Sequence, residues 1–324
     1  MSKDTAEKRL TEYPDVAADV IDGVIFEGRP VVKAEDLILV SGTEYTRDEE
    51  GKLLAKYRDV IFEDKVSGSR YAFWGIENQT GTDNTLPLSI VGYDYSVYKK
   101  QVDEYIAINK RNGKSAYAKR IHADQKLVPT VTIILYYGAK WEGPYCLSDM
   151  LELKDREQLK PYLLDYRLNI VELGKDKDFY KRFHSDFRLV AQYISIRDDK
   201  KALGKFMKDT NIVVKNTESF LDIMSEIGTD IQYKMIKERV LEREKKEAVT
   251  MCLIAEELVG KGREEGADLM LISLVCRKLK KGKDKVMIAE ELEADIDEIE
   301  RICNVAADFA PAYDCRKIYD AIHV

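Results

Sequence analysis

Apolar residues recur four apart at Val16, Val20 and Val24, with Ile21 beside them and Tyr13-Pro14 just ahead. That stripe predicts a helix opening at Pro14, where proline suits the first turn, and closing at Gly28-Arg29-Pro30. Asp15, Asp19 and Asp22 run along the same helix as a second, acidic stripe. After a mixed segment with a short apolar run at Leu37–Val40, two stretches rich in β-branched and aromatic residues follow: RDVIFEDKV (58–66) and RYAFWGIENQ (70–79). They read as strands, with Ser67-Gly68-Ser69 between them as a three-residue hairpin loop. Pro87 sits in the first turn of a helix running to about Ile106. The run VPTVTIILYY (128–137), with Gly138 behind it, is nearly all apolar, the pattern of a strand buried on both faces. Tyr166–Val171 reads as a further strand and Asp186–Ile196 as a further helix. This order predicts an α/β fold: a mixed sheet flanked by helices.

From about Asn216 the pattern changes. Proline is absent until Pro311, and charged runs such as KERVLEREKKE and KGREEG alternate with apolar residues at helical spacing. The chain thus divides into an α/β domain over residues 1–215 and an all-helical C-terminal region over 216–324. Within the latter, Val286–Cys303 has the outline of a helix-turn-helix. Its second helix carries Asp295, Asp297, Glu298 and Glu300 against Arg301, and phosphates repel such a surface. The region is therefore read as a packing or self-association element, a route to a homo-oligomer.

Composition narrows the function classes. At 324 residues the chain can bury a sizeable core, and 34% charged residues mark it as soluble. The five cysteines include no CxxC and no Cys/His cluster, so reduced thiols in a cytoplasmic setting are expected. Three scattered histidines disfavour the zinc hydrolases that need a His pair. The opening MSKDTAEKRL has no apolar core for a signal peptide, and the longest apolar run is far too short to cross a bilayer, so no membrane partner is expected. The net charge of −7 argues weakly against nucleic acid, yet residues 99–126 hold eight basic residues against three acids. That patch reads equally as a solvated helix and loop or as a surface tracking phosphates through Lys99, Lys100, Lys110, Arg111, Lys119 and Arg120.

The hairpin carries the candidate chemistry. If Ser67–Ser69 is the loop, Val66 pairs with Arg70, and carrying that register back sets Asp59 opposite Glu77, with Cβ atoms roughly 4.5–5.5 Å apart. A two-residue loop would instead put Asp59 opposite Asn78. Gln79 shares the face of Glu77, whereas Trp74 falls on the other, core-facing side. Like charges placed opposite each other destabilise a sheet. Either the two acids are solvent-facing residues of a half-exposed hairpin, or a divalent cation offsets their repulsion. Mg²⁺ or Mn²⁺ would suit a carboxylate pair and could activate water against a phosphodiester. Tyr93, Tyr95 and Tyr98 on the following helix are expected in the core, and Tyr136-Tyr137-Gly138 is read as structural.

The segments AADVIDGVIF, RDVIFE, GIENQT, TLPLSIVGYDYS and VPTVTIILYYGAKWEG occur in this order over residues 13–143. In that order they resemble the PD-(D/E)XK nuclease superfamily, and within it the recombination-promoting nuclease (Rpn) or YhgA-like transposase family. The resemblance implies a restriction-endonuclease-like fold and a metal-dependent DNA endonuclease. It implies Asp59 and Glu77 as metal-binding acids, Gln79 at the motif's lysine position, and Asp19 or Asp22 as the acid from the first helix. Gln79 cannot act as a cation, and Ser89 stands where relatives often carry arginine. These departures keep open a nucleic-acid-binding or assembly protein with little catalysis, and a hydrolase of some other phosphoester is not excluded.

Overall fold

A computed structural model of the chain describes residues 3–40, 43–47, 53–57, 59–112, 121–228 and 231–323. Helices α1 (Lys3–Thr11) and α2 (Pro14–Ile25) come first, followed by β1 (Leu37–Val40) and a two-stranded ribbon of β2 (Thr43–Arg47) and β3 (Leu53–Tyr57). The hairpin of β4 (Val60–Val66) and β5 (Ser69–Gln79) leads into α3 (Leu86–Arg111), β6 (Thr130–Tyr136) and β7 (Asn169–Glu172). The main sheet has the order β1-β4-β5-β6-β7, antiparallel from β1 to β5 and parallel from β5 to β7. A parallel neighbour cannot be reached by a tight turn, so α3 is the crossover from β5 to β6.

The two sheet faces bury different helices. Val60, Phe62, Trp74, Ile76, Ile133 and Leu135 share the larger core with α2 residues Val16, Val20 and Ile21 and with α4 (Phe187–Ile196). On the opposite face Phe73, Ile134 and Tyr136 meet α3 through Leu86, Ile90 and Val97. Ile133, Ile134 and Leu135 are each fully buried, so β6 is covered on both faces as its unbroken apolar run predicts. Trp74 faces the larger core as expected, its indole N–H donating to Asp64 Oδ2 at 3.0 Å.

The later helices are α5 (Lys200–Asp209), α6 (Thr217–Ile227), α7 (Ile231–Glu244), α8 (Met251–Leu279), α9 (Lys285–Leu292), α10 (Ile296–Ala307) and α11 (Cys315–Ile322). Beyond β7 the described elements are helices, and the packing changes within α8. Phe220, Met224, Ile236, Val240 and Ile254 still belong to the larger core, so α6, α7 and the first turn of α8 close over the sheet's helical layer. A second core forms at the far end of α8, where Ile272, Val275 and Cys276 meet Ile288, Ile299, Ile302 and Ile318. The helix-turn-helix outline is present as α9 and α10, with Glu293 in the left-handed region at the turn. Ile299, Ile302 and Ala306 of α10 are buried in this unit, whereas Asp297 is exposed and Glu298 half-buried. No helix among the described residues is long and apolar enough to cross a membrane.

Candidate active site

The register of the β4–β5 hairpin decides whether the acid pair exists. Only two residues form the loop, Ser67 and Gly68, both at positive φ (52° and 79°) as a tight type I′ connection requires. Val66 therefore pairs with Ser69 and Lys65 with Arg70, which corrects the expected three-residue loop. One step later the register shifts: Asp64 pairs with Ala72, leaving Tyr71 as the extra residue of a β-bulge. Tyr71 is 58% exposed, so the bulge turns it toward solvent. From Asp64 back to Val60 the ladder follows the register first expected, ending at Val60 opposite Ile76.

Asp59 lies one residue beyond that last pair, which brings it beside Glu77. Its main-chain N–H donates to Glu77 Oε2 at 3.4 Å, and its Oδ2 accepts the Asn78 N–H at 2.8 Å. Glu77 is buried and Asp59 half-buried. Gln79 follows on the face of Glu77, half-buried at the end of β5. The structure thus brings Asp59, Glu77 and Gln79 to one end of the hairpin.

Asn78, between them, points to the other face and is 8% exposed. Its Nδ2 donates to Thr11 Oγ1 at 3.3 Å, and its Oδ1 accepts the Tyr137 hydroxyl at 2.9 Å. This amide clamps the acid-bearing end of β5 to α1 and to the end of β6. Sequence reasoning did not single it out, although an amide at an inward position of an alternating strand was the available signal.

The acids of α2 do other work. Both oxygens of Asp19 accept from the His184 N–H at 2.8 Å, and Oδ2 also takes the Ser185 N–H at 2.7 Å and the Ser185 hydroxyl at 2.6 Å. Asp22 accepts from the main-chain N–H groups of Val31 and Val32 at 3.1 and 3.0 Å. Burial pushes the Asp22 carboxyl above its ordinary range, the two amide bonds pull against it, and neighbouring Asp19 pushes it further up. Each acid ties a loop to α2. Among the described residues no three His, Cys, Asp or Glu side chains gather as a metal-binding group.

Lys99, Lys100, Lys110 and Arg111 are all exposed on α3. Eleven residues make about three helical turns, so Lys99 with Lys110, and Lys100 with Arg111, form one stripe roughly 16 Å long. Lys99 is tied to Asp103 one turn on. Lys119 and Arg120 lie outside the described residues. Tyr93 packs against the α3-side core and the Tyr98 hydroxyl accepts the Thr130 N–H, but Tyr95 is 63% exposed, contrary to its expected core position. It sits one turn before Lys99, on the outer flank, because the buried face of α3 is taken by Ile90, Asp94 and Val97.

An open mixed sheet with an acid pair at the end of its hairpin, a helical crossover behind it and a basic stripe along that helix defines an α/β protein with a candidate acidic site at one end of its sheet. The family whose description is "Putative transposase, YhgA-like" matches residues 49–220, more than half of the chain, and the protein belongs to that family. The matched span holds Asp59, Glu77, Gln79 and all of α3, and leaves out Asp19 and the helices from α7 onward. No curated protein and no solved structure matches the chain.

Proposed function

We propose that this protein is a divalent-metal-dependent DNA endonuclease that hydrolyses phosphodiester bonds in recombination or mobile-element processes. The observation that carries the reading is the cross-strand acid pair: Glu77 Oε2 lies 3.4 Å from the Asp59 nitrogen, and Asp59 Oδ2 lies 2.8 Å from the next residue's nitrogen. Two carboxylates side by side at a strand end form an oxygen donor pair that a divalent cation can bridge. The donor set suits Mg²⁺ or Mn²⁺, which takes one or two carboxylates and completes its shell with water and substrate phosphate. Asp59 and Glu77 would hold the ion, which when bound supplies Lewis-acid stabilisation of the phosphoryl oxygens and an acidified water. Gln79 places a neutral amide beside them, able to hold a water or a phosphate oxygen through hydrogen bonds but not by charge. The stripe of Lys99, Lys100, Lys110 and Arg111 lies on the helix covering the same sheet face and supplies phosphate contacts.

A second reading, a nucleic-acid-binding protein with little cleavage, is favoured by the engagement of Asp19 elsewhere and by Gln79 in place of a cation. Self-association is assigned to the C-terminal helices, where Val286, Met287 and Ile296 are exposed, and light scattering of wild type against Met287→Glu tests it. Incubation with supercoiled plasmid, with and without Mg²⁺ or Mn²⁺, tests the main reading. Metal-dependent nicking lost in both Asp59→Ala and Glu77→Ala supports it. Nicking that persists in both variants rules out the assigned site, and DNA binding without nicking by wild type supports the second reading.

A further inference from the structure

The last helix, α11, lies antiparallel along the second half of α8. At one end Lys280 Nζ donates to Ala312 O at 3.0 Å and stands 5.7 Å from the centre of the Tyr313 ring. At the other end His323 Nε2 lies 3.6 Å from Asp268 Oδ2. Both helices rise about 1.5 Å per residue, so these two contacts fix the register between them. One turn back from Lys280 is Cys276, and two residues on from Tyr313 is Cys315, which sets the two cysteines at the same level. Ile272 and Ile318 continue the pairing along the helices, both buried in the second core.

Both cysteines are free thiols. Cys276 is 3% exposed, whereas Cys315, the first residue of α11, is half-buried. Burial, and after it the neighbouring Cys315 thiol, pushes the Cys276 thiol up to about 11. The influence of Cys315 agrees with the helix register. Cys303 of α10 packs against the same core, but burial raises its thiol and its charged neighbours are Lys285 and Glu300. A single buried cysteine serves a core as a small apolar side chain. A second thiol beside it, on another helix and within reach of solvent, adds chemistry that packing does not need.

From this placement we infer that Cys276 and Cys315 form a dithiol site that hydrogen peroxide oxidises to a disulfide, fastening α11 to α8. The accessible Cys315 sulfur attacks one peroxide oxygen and the O–O bond breaks. That oxygen stays on sulfur as the sulfenic acid, and the other leaves as water with the thiol proton. The Cys276 sulfur then attacks the Cys315 sulfur. The S–S bond forms, the S–O bond breaks, and hydroxide departs as water with the Cys276 proton. The two sulfurs give up two electrons, which reduce one hydrogen peroxide to two waters. Oxidation begins at Cys315 because a buried thiol of raised pKa offers little thiolate at neutral pH. The bond closes a loop of about 40 residues that carries α9 and α10, so it stabilises the second core by restricting its unfolded state.

The test treats the reduced full chain with hydrogen peroxide at neutral pH and maps its peptides by mass spectrometry without reductant. The expected product joins the Cys276 and Cys315 peptides, lighter by two hydrogens and reversed by dithiothreitol. The bridged chain should melt roughly 5 °C higher than the reduced one. Cys303→Ala should bridge as wild type does. Cys315→Ser, altered at a half-buried position, should leave Cys276 as a thiol, and Cys276→Ala should leave Cys315 as a sulfenic acid that dimedone traps. The inference is overturned if peroxide leaves both thiols unreacted, if the bridge joins Cys303 or two chains, or if the bridged chain melts no higher than the reduced one. Neither metal nor DNA enters the measurement, so its outcome does not depend on whether the chain cleaves.

Discussion

The main-chain N–H of Asn78 donates to Asp59 Oδ2 at 2.8 Å, so the carboxylate of one strand end is oriented by the backbone of its neighbour. What holds that backbone is the Asn78 side chain, bonded to Thr11 and Tyr137. Replacing Asn78 with Leu leaves the Thr11 and Tyr137 hydroxyls without this partner inside the core. The expected loss is roughly 1–3 kcal/mol in urea unfolding, the scale on which removing a buried hydrogen-bonding group acts. In plasmid nicking the variant should also need more Mn²⁺ for half-maximal rate, because Asp59 loses a fixed direction. An unchanged metal requirement would show that Asn78 serves stability alone.

The acid pair itself is expected to carry cleavage. Asp59→Asn and Glu77→Gln keep size and hydrogen bonding while removing charge, so both should fold. Nicking should fall on the order of a hundredfold or more in each, and the double variant should be no worse than the weaker single one, because the two act as a unit. A double variant whose loss is the product of the two single losses would argue against a shared ion.

The hairpin turn decides the register on which that pair depends. Gly68 has φ +79°, and an added Cβ meets nothing within 4 Å, so the cost of Gly68→Val is backbone strain alone. About 1–2 kcal/mol of lost stability is expected in thermal or urea unfolding. Ser67→Asn, which suits positive φ better, should be neutral or slightly stabilising. Tyr71→Ala, on the exposed bulge, should change stability by less than about 0.5 kcal/mol.

These contrasts show what the sequence could and could not disclose. Burial of β6 on both faces, the helix behind Pro14 and the face shared by Glu77 and Gln79 follow from period alone and are present in the structure. The hairpin was placed correctly for a partly mistaken reason: a shorter loop and a bulge at Tyr71 each shift the ladder by one residue and cancel. A bulge leaves no periodic trace when the extra residue is an aromatic among aromatics. The partners of Asn78 and Asp19 lie 59 to 166 residues away, and no local pattern encodes contacts at that separation. The packing of α6 and α7 on the larger core was hidden likewise, since an amphipathic stripe reveals that a helix buries a face but not against what.

A pH dependence follows from the salt-bridge cluster on the hairpin. Burial works against the Glu63 carboxylate, but Arg70 and Lys65 outweigh it and hold its pKa below the ordinary glutamate value. Arg70 also reaches Glu104 on α3 at 2.8 Å, tying the hairpin to the crossover helix. A carboxylate with a depressed pKa in the folded state stabilises the fold above its unfolded pKa of 4.5, and the benefit drains away as pH falls through the lower folded value. Glu63→Gln should therefore cost about 1–2 kcal/mol at pH 7, discounted for the partly exposed arginine, and progressively less below pH 4.5. Urea unfolding of both proteins at pH 7 and pH 3.5 measures it. A gap that widens at low pH would contradict the assignment.

Asp19 offers the sharpest separation between architecture and chemistry. The family resemblance makes it a metal ligand, whereas the structure gives it the His184 and Ser185 amides and the Ser185 hydroxyl, at the loop that leads into α4. Its side chain is only 10% exposed, so Asp19→Ala strands three donors at a site water reaches poorly. The expected cost is about 2–4 kcal/mol in urea unfolding, in the range found when a buried acceptor of several bonds is removed. If the role is architectural, the Mg²⁺ concentration for half-maximal nicking should match wild type once measured under conditions where the variant is folded. If Asp19 instead joins Asp59 and Glu77 at the ion, that concentration should rise by about tenfold or more, the scale on which metal-site groups act. Asp19→Asn divides the two further. It keeps one acceptor for the loop amides and should recover much of the lost stability, yet it removes the negative charge a cation would need. Stability restored together with an unshifted Mg²⁺ requirement would leave the hairpin acids as the site's only charged ligands among the described residues.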